Sequence, residues 1–398
     1  MDKTKIVILM QSMYVGGVER ALISLLSVIP AEKYEIDLIL SKRKGDFLNR
    51  IPAHVNVYEA PYKKHIRSGE GIAEILTKLK QDKRYVSWIK LAILAALNKK
   101  INVDKMLMRA IYQNSTTHYD YLFNFAGINT LTNLLSRNVY KADNKYIWVH
   151  GDSEKEGFVK YSKEYEVYDH VFCVSEKVTD KFRKYMPSMA QKTDTIYNEI
   201  DQDVIRMQAE ESTGIERQSD ETVLLTVGRL DACKGYNIAI DACDWLIKSG
   251  YKVKWYVVGE GIEREKIEFE IAKRELQNCF ILLGKKENPY PYYKSTDIYV
   301  QTSISEGYCI TLAEAKVFNK PIVTTDFSGA DEQIIDGRNG YIVTMNGADI
   351  AKKIEELIEN EEIRVRFSNE LKKDIFGSSF VKLEKIMIDD KIQKFRRQ

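Results

Sequence analysis

Ser303-Ile-Ser-Glu306-Gly-Tyr-Cys-Ile-Thr-Leu-Ala-Glu314 lies between two apolar runs, 297–302 and 321–325. Each run is short, rich in β-branched and aromatic residues, and bounded by polar ones, which predicts two successive buried parallel strands. Residues 311–318 between them read as a short helix. Glu306 then falls in the loop at a strand's C-terminal end, and Glu314 falls one turn into the following helix. In an open α/β sheet that edge is where ligands bind. Two carboxylates with seven residues between them can hold two different parts of one ligand. Gly307, Tyr308 and Cys309 bring backbone N–H groups to a helix N-terminus, an arrangement that suits a phosphate. Cys309 itself reads as a small loop filler.

Working outward, strand, polar loop and helix keep alternating. Residues 5–10 predict a first strand, and Gly16-Gly17 a turn before a helix that starts near Val18. Further strands are predicted at 34–41, 55–60, 119–125, 145–149 and 170–175. The strand at 145–149 runs into His150-Gly-Asp152. In the second half, 222–228 runs into Arg229-Leu-Asp-Ala-Cys-Lys234-Gly235, and 252–258 into Gly259-Glu-Gly261. The strand at 280–284 is followed by Lys285 and by Asn288-Pro-Tyr-Pro-Tyr-Tyr293. Such alternation predicts doubly wound parallel sheets, and 398 residues suffice for two domains. The expected boundaries are 1–190 and 191–379, with the last helix, about 380–398, returning to the first domain. Residues 337–343 read as a final hairpin-like strand pair.

The net charge of +2, with 44% hydrophobic and 30% charged residues, argues against nucleic acid as a partner. The five cysteines are scattered without a CxxC spacing, so neither a disulfide framework nor a zinc site is indicated, and a reducing cytoplasm is expected. No apolar run approaches the ~20 residues of a membrane span. One stretch differs in composition: 62–110, beginning at Tyr62 and ending at Ala110, has twelve Lys or Arg against four acids. Ile75, Leu76, Tyr85, Trp88, Ile89, Leu91, Ile93 and Leu94 interleave with those charges. This basic amphipathic pattern predicts contact with an anionic membrane surface; the competing reading is a set of helices with a solvated basic face.

The segment 303–314 resembles the Glu-x7-Glu signature of retaining GT-B glycosyltransferases (glycosyltransferase family 4, glycosyl transferases group 1). Gly16-Gly-Val-Glu-Arg20, Gly228-Arg-Leu with Lys234-Gly, and Gly259-x-Gly261 resemble further motifs of that family, in its order. The resemblance spans essentially the whole chain and is more specific in the second half. It implies two Rossmann-like domains facing across a cleft. It implies that Glu306 contacts the donor sugar hydroxyls, that Glu314 binds the nucleotide ribose, and that His150 reaches the donor sugar without acting as general base. Gly16, Gly17, Gly259, Gly261, Lys285, Gly307, Tyr308 and Cys309 would complete the donor site. Arg229 and Lys234 would neutralise the leaving diphosphate, where fixed cations lower the barrier because the charge grows in the transition state.

Asp201-Gln-Asp203 matches the DxD of metal-dependent transferases, but it lies in the expected linker. The resemblance implies no metal and no cofactor, only a nucleotide diphosphate sugar as co-substrate. The implied reaction moves a hexose or N-acetylhexosamine from a UDP-sugar to a saccharide acceptor, lipid-linked by the hint of 62–110, in capsular, exopolysaccharide or envelope glycan synthesis. The implied location is cytoplasmic and peripheral on the inner face of the plasma membrane. Rival readings are a non-hydrolysing UDP-sugar 2-epimerase of the same fold, a phosphorylase, and a non-catalytic sugar-nucleotide-binding protein.

Overall fold

A computed structural model describes residues 3–60, 72–81, 83–98, 115–128, 130–153, 155–215, 220–374 and 377–397. The chain forms two compact units. The first comprises Met1–Cys173, Thr179–Ile196 and Phe380–Gln398, and the second Val174–Val178 and Tyr197–Ser379.

The first unit is built on seven strands, β1 (Thr4–Met10), β2 (Tyr34–Leu40), β3 (Val55–Glu59), β4 (His118–Asn124), β5 (Lys141–Val149), β6 (His170–Cys173) and β7 (Thr193–Thr195). Their order is β3-β2-β1-β4-β5-β6-β7 and every pairing is parallel. Parallel strands are covered on both faces, and Ile6, Val7, Ile8 and Leu9 of β1 are accordingly all buried. The helix Gly17–Val28 turns Ala21, Leu22, Leu25 and Leu26 to the core, one stripe at helical spacing. Phe123, Trp148 and Phe172 pack at steep angles to one another across β4, β5 and β6, with ring centroids 5.0–5.2 Å apart. The helix Ser379–Arg397 is fastened to the same sheet: Tyr121 donates to the Met387 carbonyl and Tyr146 to Asp390, both at 2.6 Å. Strand order reverses between β1 and β4, which makes their C-terminal ends the switch point of this sheet.

The second unit holds β8 (Thr222–Val227), β9 (Val253–Val258), β10 (Phe280–Leu282), β11 (Ile298–Gln301), β12 (Ile322–Thr325) and β13 (Tyr341–Val343). The order is β10-β9-β8-β11-β12-β13, again wholly parallel. Side chains alternate between two cores, as the two-residue period of a strand requires. Leu224, Trp255, Val257, Ile298 and Val300 face one, with the helices Tyr236–Lys248 and Gly347–Glu359. Val223, Leu225, Val227, Tyr256 and Tyr299 face the other, with Tyr293, Leu312 and Ala313. The switch point lies between β8 and β11.

Two local expectations are corrected. The first sheet does not end at β6: Thr193–Thr195 adds an edge strand too short and polar to read as one. Residues 337–343 form no hairpin; Tyr341–Val343 pairs parallel with β12, and Asp336 with Gly340 is an isolated bridge. Two helices follow, Gly347–Glu359 and Glu361–Leu371, separated at Asn360, whose side chain accepts from the Ile363 N–H.

Of the basic stretch, the helices Ile72–Gln81 and Tyr85–Asn98 are described, while 61–71, 82 and 99–114 lie outside the described residues. Among the described residues no helix is long and apolar enough to cross a membrane.

Candidate functional site

In the second unit both loops at the switch point carry charge. The loop after β8 tightens into a turn at Ala232–Lys234 and passes through Gly235, which has φ +61°. A Cβ there would drive into the Thr302 carbonyl oxygen, so only glycine lets this loop lie against the end of β11. Two hydrogen bonds lock the approach: Thr302 Oγ1 donates to the Lys234 carbonyl (3.0 Å), and the Ile304 N–H to the Cys233 carbonyl (2.7 Å). The result is an ion pair. Lys234 Nζ lies 2.5 Å from Glu306 Oε1, with the two side chains only 14% and 11% exposed. Burial alone pulls the Lys234 ammonium down, but the Glu306 carboxylate more than offsets this and the net displacement is upward. Ser303 Oγ donates to the same carboxylate oxygen at 2.6 Å.

Arg229 is placed differently. Its guanidinium is 74% exposed and pairs with Asp231 at 3.1 Å rather than with Glu306. Asp231 also accepts from Cys233 Sγ at 2.8 Å, and burial followed by that carboxylate pushes the Cys233 thiol up to about 11.

Glu314 is 1% exposed. Its carboxylate accepts from Tyr290 (3.2 Å) and Tyr293 (3.0 Å), both on the helix Tyr290–Ser295. Tyr290 and Tyr293 therefore anchor this glutamate, and Asn288 ties the same turn to the Gln208 carbonyl at 2.8 Å.

Between the two glutamates, Gly307 is buried and Tyr308 half-buried. The Tyr308 ring packs on Tyr197 at 5.5 Å, and its carbonyl accepts from Gln333. Cys309 has φ +61° and begins the helix Ile310–Val317 with no side-chain cap. Its thiol is buried and pushed well above the ordinary thiol range by burial, then by Glu306. At the other end of that helix Asn319, the residue after the Phe318 C-cap, takes the left-handed conformation, φ +54°, common at that position.

The glycines after β9 have a close neighbour in the loop after β8. A Cβ on Gly259 would enter the Gly228 carbonyl, and one on Gly261 the Leu230 carbonyl. Their first role is thus to let two loops touch, sealed by Gly228 N–H to Val258 O and Leu230 N–H to Glu260 O, both 3.0 Å. Lys285, beyond β10, is exposed. Asp201, of the DxD look-alike, caps the helix Gln202–Gln208 through the Val204 N–H at 3.0 Å.

The remaining predicted residues belong to the first unit. Gly16, in extended conformation, and Gly17 start the helix Gly17–Val28 after β1. His150 follows β5. Its Nε2 lies 2.6 Å from the Phe125 carbonyl; since a carbonyl only accepts, Nε2 carries the proton. Burial holds the imidazole down to about 4, against the opposing pull of that carbonyl. Near neutral pH His150 is therefore uncharged, with Nδ1 as an acceptor, the form suited to a sugar hydroxyl and not to proton donation.

Residues 207–374 match the family model described as glycosyl transferases group 1. An uncharacterized glycosyltransferase of Methanocaldococcus jannaschii is 26% identical over 69% of this chain and 79% of its own length. The N-acetylgalactosamine-N,N'-diacetylbacillosaminyl-diphospho-undecaprenol 4-alpha-N-acetylgalactosaminyltransferase of Campylobacter jejuni is 28% identical over 46% of this chain and 48% of its own. Several other curated relatives are likewise matched over about half of their length or less. Among solved structures, Anabaena HepE in complex with UDP and glucose superposes with TM-score 0.67 at 17% identity, covering 92% of this chain and 93% of that one. The fold is GT-B, two Rossmann-like parallel-sheet units. Lys234, Glu306 and Glu314 all fall within the matched region, residues 207–374, which is similar to the glycosyl transferases group 1.

Proposed function

We propose that this chain is a glycosyltransferase that moves a hexose or N-acetylhexosamine from a nucleotide diphosphate sugar to a saccharide acceptor, with retention at the anomeric carbon. The observation that carries this reading is the Lys234–Glu306 pair at the switch point of the second sheet. A glycosyl–phosphate bond that breaks leaves negative charge on the diphosphate and positive character on the sugar. A fixed ammonium beside a fixed carboxylate meets both, and prearranged charges of this kind act most strongly in the transition state. Arg229, exposed on the same loop as Lys234, supplies a second cation that can grip two phosphate oxygens. Glu314 is the ribose ligand in this reading, and His150 accepts from a sugar hydroxyl. The diphosphate needs no metal where two cations serve.

UDP is the nucleotide we assign, in keeping with family frequency and with the UDP held by HepE. A lipid-linked acceptor in envelope or capsular glycan assembly is supported by the undecaprenol diphosphate acceptor in the C. jejuni relative's name. Docking on an anionic leaflet is supported by the helix Tyr85–Asn98, where Tyr85, Val86, Ile89 and Ile93 are exposed beside Lys83, Arg84 and Lys90. The test is incubation with UDP-glucose, UDP-galactose, UDP-GlcNAc and GDP-mannose, with and without EDTA, scoring free nucleotide and the anomer of the product. Release from one UDP-sugar, insensitive to EDTA and with the α-anomer kept, is expected. Absence of release from every donor overturns the reading.

A further inference from the structure

Gln301 is an amide in a strand whose neighbours Ile298, Tyr299 and Val300 fill the two cores, and it is fully buried, as is Ser303. Burying an amide costs free energy unless each of its groups finds a partner, and here they do. Gln301 Nε2 donates to Ser303 Oγ at 2.6 Å, while Gln301 Oε1 accepts from Tyr299 (2.6 Å) and from Thr311 Oγ1 (3.2 Å). Ser303 Oγ in turn donates to Glu306 Oε1 at 2.6 Å. A carboxylate only accepts, so the hydroxyl must point at Glu306, and the amide must then present its NH2 to the serine. One orientation of the whole row satisfies every member.

The row continues past Thr311. The one hydroxyl proton of Tyr293 is shared between the Thr311 carbonyl (3.1 Å) and Glu314 (3.0 Å). The two glutamates of the 303–314 segment are thus joined through the interior as well as along the chain.

Glu306 Oε1 receives both Lys234 and Ser303, which uses its two lone pairs. Among the described residues no hydrogen bond to Oε2 is seen. We infer that Gln301 and Ser303 are positioning residues, which hold Glu306 by its Oε1 edge so that Oε2 is the atom offered to the donor sugar. This rests on the glycosyl-transfer reading. A position that served packing alone would be filled by an apolar side chain, as at Ile298 and Val300; an oriented polar row is what fixing a carboxylate requires.

The experiment compares Ser303→Ala, Gln301→Leu, their combination and Ser303→Thr with the wild type. It measures kcat and donor KM with the donor that the wild type turns over, UDP affinity by calorimetry, and melting temperature. Misplacing a reacting group by about 1 Å can cost about a hundredfold, so Ser303→Ala is expected to lower kcat by that order and Gln301→Leu by about tenfold. UDP affinity is expected to stay within about twofold, because UDP carries no sugar for Glu306 to meet. The double variant is expected to be no worse than Ser303→Ala, since both residues act through one row, and Ser303→Thr to regain most of the rate. Unchanged kcat in Ser303→Ala, losses shared equally by UDP affinity, or losses that multiply in the double variant would overturn the assignment. A wild type without turnover would fell the transfer reading and this one together, before any variant is made.

Discussion

Lys234 Nζ and Glu306 Oε1 lie 2.5 Å apart, though one side chain leaves the loop after β8 and the other the loop after β11. The pair is formed where the two central strands of the second sheet diverge, and both groups are largely withdrawn from water. Breaking such a pair leaves an uncompensated buried charge. Lys234→Met is expected to destabilise the second unit by about 3 kcal/mol. Lys234→Met combined with Glu306→Gln is expected to recover most of that, while turnover stays at least about a hundredfold down in both variants. Urea melts read beside initial rates check both halves; a stable, inactive Lys234→Met would separate the charge from the fold.

Gly259 tests whether the glycine after β9 serves the fold before it serves a nucleotide. The Gly228 carbonyl stands where a Cβ would go, and neither backbone can retreat without breaking the Gly228–Val258 hydrogen bond. Gly259→Ala is expected to cost about 2–4 kcal/mol by overpacking, seen as a lower denaturation midpoint with or without UDP. Unaltered stability with weaker UDP binding would assign the residue to the ligand alone.

His150 is held down to about 4 by burial, so its protonation state does not change over the working range. The kcat/KM profile between about pH 5.5 and 8 is expected to have the same shape in the wild type and in His150→Gln, shifted downward as a whole. A limb near pH 6.5 that vanishes in the variant would contradict the neutral acceptor assigned here.

His170 predicts the opposite dependence. Burial lowers its basicity, but Asp194 and Asp390 on either side outweigh burial and hold the imidazolium up to about 9. Asp194 is correspondingly held below the usual carboxylate range, first by the His170 hydrogen bond. A pKa raised above its unfolded value contributes stability below about pH 6.5 that is lost as pH climbs through about 9. With allowance for solvent screening the contribution is about 2 kcal/mol. Thermal melts from pH 7 to 10 are expected to fall more steeply for the wild type than for His170→Gln.

Much of this was legible in the residues. The buried runs ending at Met10, Val227, Val258 and Gln301 announced parallel strands, because strands covered on both faces must be apolar throughout. The glutamate spacing put Glu306 in a loop and Glu314 on a helix, where the structure places them. What pattern reading missed is local. Gln301 and Ser303 gave only a weak signal, a polar residue interrupting an apolar strand. The service of Tyr290 and Tyr293 to Glu314 depends on a contact 21 to 24 positions away, which no period encodes. The turn of Arg229 toward Asp231 is a choice among rotamers of an exposed side chain, and composition is blind to it.

The helix Ser379–Arg397 is part of the first unit, where Met387 and Asp390 accept hydrogen bonds from Tyr121 and Tyr146 of its sheet. During synthesis on the ribosome those partners emerge only after Tyr197–Ser379, which makes up almost all of the second unit. The sheet that is translated first therefore lacks part of its own cover until the second unit has been made.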